Sequence, residues 1–158
     1  MSHLGKPLKI EPKLVKQERK YDISQFLRTD YSDHTLKTEA DIAQLNRTPS
    51  REVMWDKNGR DISNDTIIKT ITCNMDRTNT AALFRYKGAK GDTYRRLTIR
   101  EAFLLMGFTE DEYEKTIPLE YGYRLMNRLI GNSIVVNVLE EIFKAMFAEK
   151  YKILETID

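Results

Sequence analysis

Apolar residues recur at three- and four-residue spacing near the end of this chain. Val135, Val138, Leu139, Ile142, Phe143, Met146 and Phe147 form one stripe, the period of a helix whose apolar face needs a partner surface. Upstream, the punctuation predicts three shorter helices. Thr98 and Glu101 form a Thr-x-x-Glu capping box, in which hydroxyl and carboxylate satisfy amide donors reciprocally. Gly107 then supplies a left-handed stop. Thr109 and Glu112 repeat the box for a short acidic helix, whose carboxylates suit the positive end of the helix dipole. A third helix is expected from about Tyr121 to Leu129, ended by Gly131, with Asn132 or Ser133 capping the last one.

The first half of the chain is patterned more weakly. Residues 1–20 contain Pro7 and Pro12 and no apolar period, so they are expected to be a basic arm or linker. A short helix or strand follows at Tyr21 to Leu27. Thr38 to Leu45 predicts a helix capped by Thr38, with Ile42 and Leu45 on one face. After Thr48-Pro49-Ser50, Ser50 can cap a second helix bearing Val53, Met54 and Trp55. This is the outline of a helix-turn-helix that would offer Ser50, Arg51 and Glu52 to a major groove. Two packed helices without a DNA role fit the same pattern and are the commoner outcome. Asn58-Gly59 marks a turn, and strands are expected at Ile67 to Thr72 and Ala81 to Tyr86, the latter before a loop with Gly88 and Gly91. The fold class is therefore α+β.

Composition narrows the class. In 158 residues, 41% are apolar and 32% charged, as in globular proteins rather than disordered ones. No run approaches the roughly 18 apolar residues of a membrane span, so no membrane partner is expected. The start lacks the apolar stretch of a signal peptide. A single cysteine cannot form an internal disulfide, which suits a cytoplasmic location. The net charge of +2 conceals segregation. Residues 1–20 carry six cations against two carboxylates, and residues 85–100 six against one. Residues 101–120 reverse the sign, with six carboxylates against one lysine. The basic segments can meet phosphates, or they are ordinary solvated surface. His3 and His34 are isolated and lack metal-ligand spacing.

Two segments carry a family resemblance. Arg96-Leu97-Thr98-Ile99-Arg100-Glu101 runs into Leu105-Met106-Gly107-Phe108, and Gly131-Asn132-Ser133-Ile134-Val135-Val136-Asn137-Val138-Leu139-Glu140-Glu141-Ile142-Phe143 follows. Together they resemble the last two conserved motifs of the DNA cytosine-5 methyltransferases, in that family's order. Thr70 to Tyr86, with Asp76-Arg77-Thr78-Asn79 inside it, resembles the segment that closes the family's target recognition domain. The resemblance covers roughly residues 66 to 148. Ile99 and Thr109 stand where the family usually has proline, and Arg128-Leu129-Ile130 replaces its common Lys-Gln pair.

The resemblance implies a small β-containing target recognition region at 21–95, then a helical segment at 96–158. That segment would pack on a Rossmann-like catalytic domain absent from this chain. It implies that Asn132 and Ser133 line a pocket for S-adenosylmethionine shared with the catalytic partner. Thr70, Thr72, Arg77 and Asn79 stand where similar proteins place DNA contacts. Arg95 and Arg96, with Arg100, are candidates for phosphate oxygens, although at least one of the three is expected in a buried ion pair. Thr98, Arg100, Glu101, Gly107 and Gly131 are expected to be structural.

The chemistry of that family needs a cysteine thiolate in a Pro-Cys setting. Cys73 is the only cysteine, with Thr72 before it and no histidine in its region. There is also no Gly-rich turn between strand and helix for a dinucleotide-like cofactor. The expected function is therefore the DNA-recognition and closing portion of a cytosine-5 methyltransferase, acting on double-stranded DNA with a catalytic domain or subunit. The alternative is a stand-alone DNA-binding regulator or an inactive remnant. Exposure of the Val135 to Phe147 stripe would favour the partner-requiring form.

Overall fold

In the computed structural model, residues 21–57, 61–68, 70–75 and 82–144 are described. The N-terminal arm, the Asn58-Gly59 turn, Arg77, Asn79, Met146 and Phe147 lie outside them. The first element is a single 3-10 turn, Ile23–Gln25, where Asp22 accepts from the Ser24 amide. Helix α1, His34–Ala43, starts four residues before the expected Thr38. Asp33 accepts from the amides of Thr35 and Leu36, and its short carboxylate meets the exposed amides better than a threonine one turn later. Thr38 instead donates back to the His34 carbonyl at 2.8 Å. Helix α2, Pro49–Lys57, has proline in its first turn, where the missing N–H is not needed. Its cap is Thr48, which accepts from the Arg51 amide, and not Ser50.

The two strands are β1, Phe84–Gly88, and β2, Gly91–Arg95, an antiparallel hairpin pairing Phe84 with Arg95 and Gly88 with Gly91. Of the strand expected at Ile67 to Thr72, the described residues 67, 68 and 70–72 run as irregular chain. The partner of β1 is the sequence after the Gly88–Gly91 turn. A two-residue connection pairs neighbours at little loop-closure cost, whereas pairing with 67–72 must close a longer loop. The chain leaving α1 extends the sheet locally: the Leu45 amide donates to Tyr94 O and the Arg96 amide to Ala43 O. Asp41, at the end of α1, accepts from the Tyr86 hydroxyl and the Ala89 amide, locking helix to hairpin.

Helix α3, Ile99–Leu105, and helix α4, Glu110–Glu114, start with the two expected capping boxes. Between them Gly107 sits at φ +91°. The Phe108 amide reaches Phe103 O, the Gly107 amide reaches Leu104 O, and the Phe103 and Phe108 rings stack at 4.4 Å. These are the paired hydrogen bonds and apolar contact of a Schellman stop. A second 3-10 turn, Ile117–Leu119, precedes α5, Tyr123–Asn132. Helix α6 covers residues 136–144 of the described chain.

Two expectations about the α5–α6 corner are corrected. Gly131 does not end α5 but lies within its last turn. A Cβ there would overlap the Cys73 amide and come within 2.6 Å of the Thr72 carbonyl carbon. Glycine thus permits the irregular 70–75 segment to lie directly on the helix, at an intrinsic cost of about 1 kcal/mol. Ser133 caps the C-terminus of α5, with its amide on Ile130 O. The first acceptor of α6 is Val135 O, which takes the Val138 and Leu139 amides, so neither Asn132 nor Ser133 caps α6.

The main core gathers Ile23, Ile62, Met75, Ala82, Phe84, Leu97, Ala102, Met106 and Ile130. A smaller one holds Leu45, Trp55, Leu83 and Tyr94 under the hairpin. Ile130 brings α5 into the same core as α3 and β1. The Gly131→Ala variant is expected to lose about 1–3 kcal/mol, because backbone rather than a movable side chain occupies the space. An unchanged urea midpoint would show that the Thr72–Cys73 contact is loose.

Candidate nucleic-acid interface

The arginine-rich segment after β2 is anchored by a buried ion pair. The Arg95 and Glu101 side chains are 1% and 0% exposed. The guanidinium grips the carboxylate with both terminal nitrogens, at 2.7 and 2.8 Å. Glu101 also accepts from the Thr98 amide and from the Arg28 amide, both at 2.9 Å. Each carboxylate oxygen therefore takes two donors, filling its acceptor capacity. Arg95 further donates to the Tyr31 hydroxyl and the Arg96 carbonyl. Burial works against the charge on Arg95, yet Glu101 outweighs it and holds the guanidinium above its ordinary value. Burial and four internal hydrogen bonds from its five N–H donors argue against the expected contact of Arg95 with DNA.

Arg100 is also internal. It meets Glu39 of α1 at 3.1 Å and Glu110 of α4 at 2.9 Å, and Glu110 takes Arg28 as well. Tyr113 completes the group, donating to Glu39 at 3.3 Å beneath the Arg100 guanidinium. Burial, and then the charge of Glu39, push the Tyr113 hydroxyl up to about 12. Burial likewise raises the Glu39 carboxyl, with Arg100 pulling it back. Arg28, Tyr31, Glu39 and Glu110 escaped sequence reasoning, since Glu39 lies 61 residues from Arg100 and no local pattern links them. Arg96 differs from both neighbours. Its guanidinium lies 4.2 Å from the Tyr123 ring centroid, and Tyr123 is fixed by its hydroxyl on Leu97 O.

Thr70 is exposed and Thr72 half-buried, both on the segment that Gly131 admits. The Cys73 thiol donates to Asn132 Oδ1 at 3.1 Å. Cys73 follows Thr72 rather than a proline, and its thiol is half-buried against the end of α5. In the helix-turn-helix region, Arg51 reaches back to the Asn46 carbonyl and Glu52 pairs with Arg47. Both side chains are thus occupied by their own turn.

Asn132 is exposed and Ser133 half-buried, with the Ser133 hydroxyl on Leu129 O. Neither residue lines the cleft between Glu39 and Tyr123, the small one between Ile68 and Leu97, or the one between Tyr21 and Leu105. The corner presents an exposed amide and a half-buried hydroxyl and forms no cradle by itself. Val136 donates to Met106 O at 2.9 Å, so the start of α6 leans on the Gly107 stop. Beyond it, Ile134, Val138, Ile142 and Phe143 are between 44% and 57% exposed, and Leu125 and Leu129 of α5 are similar. Among the described residues no helix is long and apolar enough to cross a membrane, and no cluster of His, Cys, Asp or Glu could hold a metal ion.

Removing one partner of a buried pair strands the other charge. Glu101→Gln is expected to cost about 3–5 kcal/mol in chemical denaturation, and Arg95→Met with Glu101→Leu clearly less. A double variant as unstable as the single one would mean that the pair acts through its backbone contacts and not through its charges.

The chain matches the sequence model of the C-5 cytosine-specific DNA methylase family over residues 4–148. No curated protein and no solved structure matches it. The match spans most of the 158 residues and includes both arginine-glutamate and Gly-Asn-Ser segments. This chain belongs to the C-5 cytosine-specific DNA methylase family.

Proposed function

We propose that this chain is the DNA-recognition and closing portion of a cytosine-5 DNA methylase and acts with a catalytic domain or subunit. The carrying observation is the contrast between the family match over 4–148 and the chain's lack of any Pro-Cys nucleophile. The exposed apolar residues of α5 and α6 support it, since a row of Leu125, Leu129, Val138, Ile142 and Phe143 is the kind of surface a partner covers. Residues 21–95 form the recognition region in this reading and 96–158 the segment that seats on the partner. Thr70, Thr72, Arg77, Asn79 and Arg96 are the DNA contacts that remain once Arg95 is set aside. Asn132 and Ser133 give one edge of the S-adenosylmethionine pocket, and that cofactor supplies the methyl group.

Within the whole enzyme the target cytosine leaves the base stack, and the partner's thiolate attacks its carbon 6. This chain's part is to hold the duplex and to close the site. A restriction-modification setting fits such a division of labour. The test mixes the purified chain with its catalytic counterpart, labelled S-adenosylmethionine and duplex DNA. Methyl transfer is expected from the mixture and from neither component alone. A chain that stays a soluble monomer, binds duplex DNA and never supports transfer would instead be a stand-alone regulator.

A further inference from the structure

Charge is distributed unevenly around α5. Residues 66–75 and 121–139 together contain three cations, Lys69, Arg124 and Arg128, and no carboxylate. Among the other described arginines, Arg28, Arg47, Arg85, Arg95 and Arg100 each hold a carboxylate. Arg124 and Arg128 are exposed, and among the described residues neither guanidinium has an ion pair. They stand four residues apart, and Gly131 follows three later. Positions i, i+4 and i+7 share one flank of a helix. The flank ends at Gly131, whose missing Cβ admits the backbone of Thr72 and Cys73. Arg128, whose carbonyl lies 3.8 Å from the Cys73 thiol, stands beside this segment, and Arg124 precedes it by one turn on the same flank.

We infer that Arg124 and Arg128 form a phosphate-binding ladder that holds the DNA backbone beside Thr70 and Thr72. The inference rests on the reading that the chain grips DNA, and it adds where the backbone is held. Planar guanidinium forks match phosphate oxygens in bidentate geometry. Such contacts position a protein on a duplex without reading bases. Holding a strand here sets the threonines of the adjoining segment at the right height for a groove edge.

The test measures binding of a fluorescent 20-base-pair duplex across a salt series, for the full chain and three variants. Arg124→Gln with Arg128→Gln is expected to weaken binding about tenfold per arginine at low salt. It should also lower the slope of log affinity against log salt by about two. The loss should be equal for unrelated DNA sequences. The Arg124→Lys, Arg128→Lys variant should keep most of the slope. Gln is as good a helix former as Arg, so the thermal unfolding of all three should match. Arg47→Gln is the control and should leave the slope in place. If the wild-type chain binds with a salt-dependent affinity and the double Gln variant binds equally well, the ladder is wrong and the DNA-gripping reading stands. If the wild-type chain binds no duplex, both fall. A poly-glutamate of equal charge that binds as tightly as the duplex and is weakened equally by the double Gln variant would point to an acidic protein surface, and overturn the assignment to phosphate.

Discussion

The Arg95–Glu101 pair is the contact on which the rest of the molecule hangs. It joins the end of the hairpin to the first turn of α3, and through the Arg28 amide and Tyr31 hydroxyl it draws in the N-terminal described segment. Buried pairs are not automatically stabilising, because taking two charges out of water costs several kcal/mol per ion. Here the cost is offset by complete hydrogen bonding: both oxygens of Glu101 are doubly occupied. The gain is uniqueness of arrangement. A hairpin shifted in register by one residue would turn Arg95 to the other face and leave Glu101 buried alone.

The consequence is transmitted by packing. With α3 fixed, its Schellman stop at Gly107 presents Met106 O to Val136, and that hydrogen bond orients the start of α6. Ile130 brings α5 into the same core. The two segments that carry the family resemblance are thus in contact with one another: the first ends where the second's helix begins. This arrangement orients α5 so that one flank is basic and next to residues 70–73, while Leu125 and Leu129 are left exposed. One side is basic and another apolar, as the proposed place between DNA and a catalytic domain requires.

What could be read from the sequence divides by the range of the interaction. Both capping boxes and the left-handed Gly107 were legible, because donor, acceptor and dihedral lie within a few residues. The α+β class was legible too. The cap of α1 was not, since Asp33 and Thr38 are both competent and the choice depends on where the chain first packs. The Ile67 to Thr72 run has strand-forming residues, yet the hairpin beyond it pairs first at shorter range, and β propensity yields to context. Gly131 carried a stop signal locally; its actual constraint comes from Thr72 and Cys73, about sixty residues earlier in the chain. Arg95 had the look of a phosphate ligand for the same reason: its carboxylate was visible at Glu101, but its burial was not.

The central claim is that this member of the methylase family grips and closes without supplying the nucleophile. The most direct measurement uses duplex DNA whose cytosines carry fluorine at carbon 5, so that a thiol adduct at carbon 6 cannot be released. Once methyl has been added at carbon 5, fluorine leaves no proton there to be lost and the adduct persists. Yet after incubation of the chain alone with this duplex and S-adenosylmethionine, denaturing mass spectrometry should show the protein at its unmodified mass. A covalent protein–DNA adduct mapped to Cys73 would contradict the account.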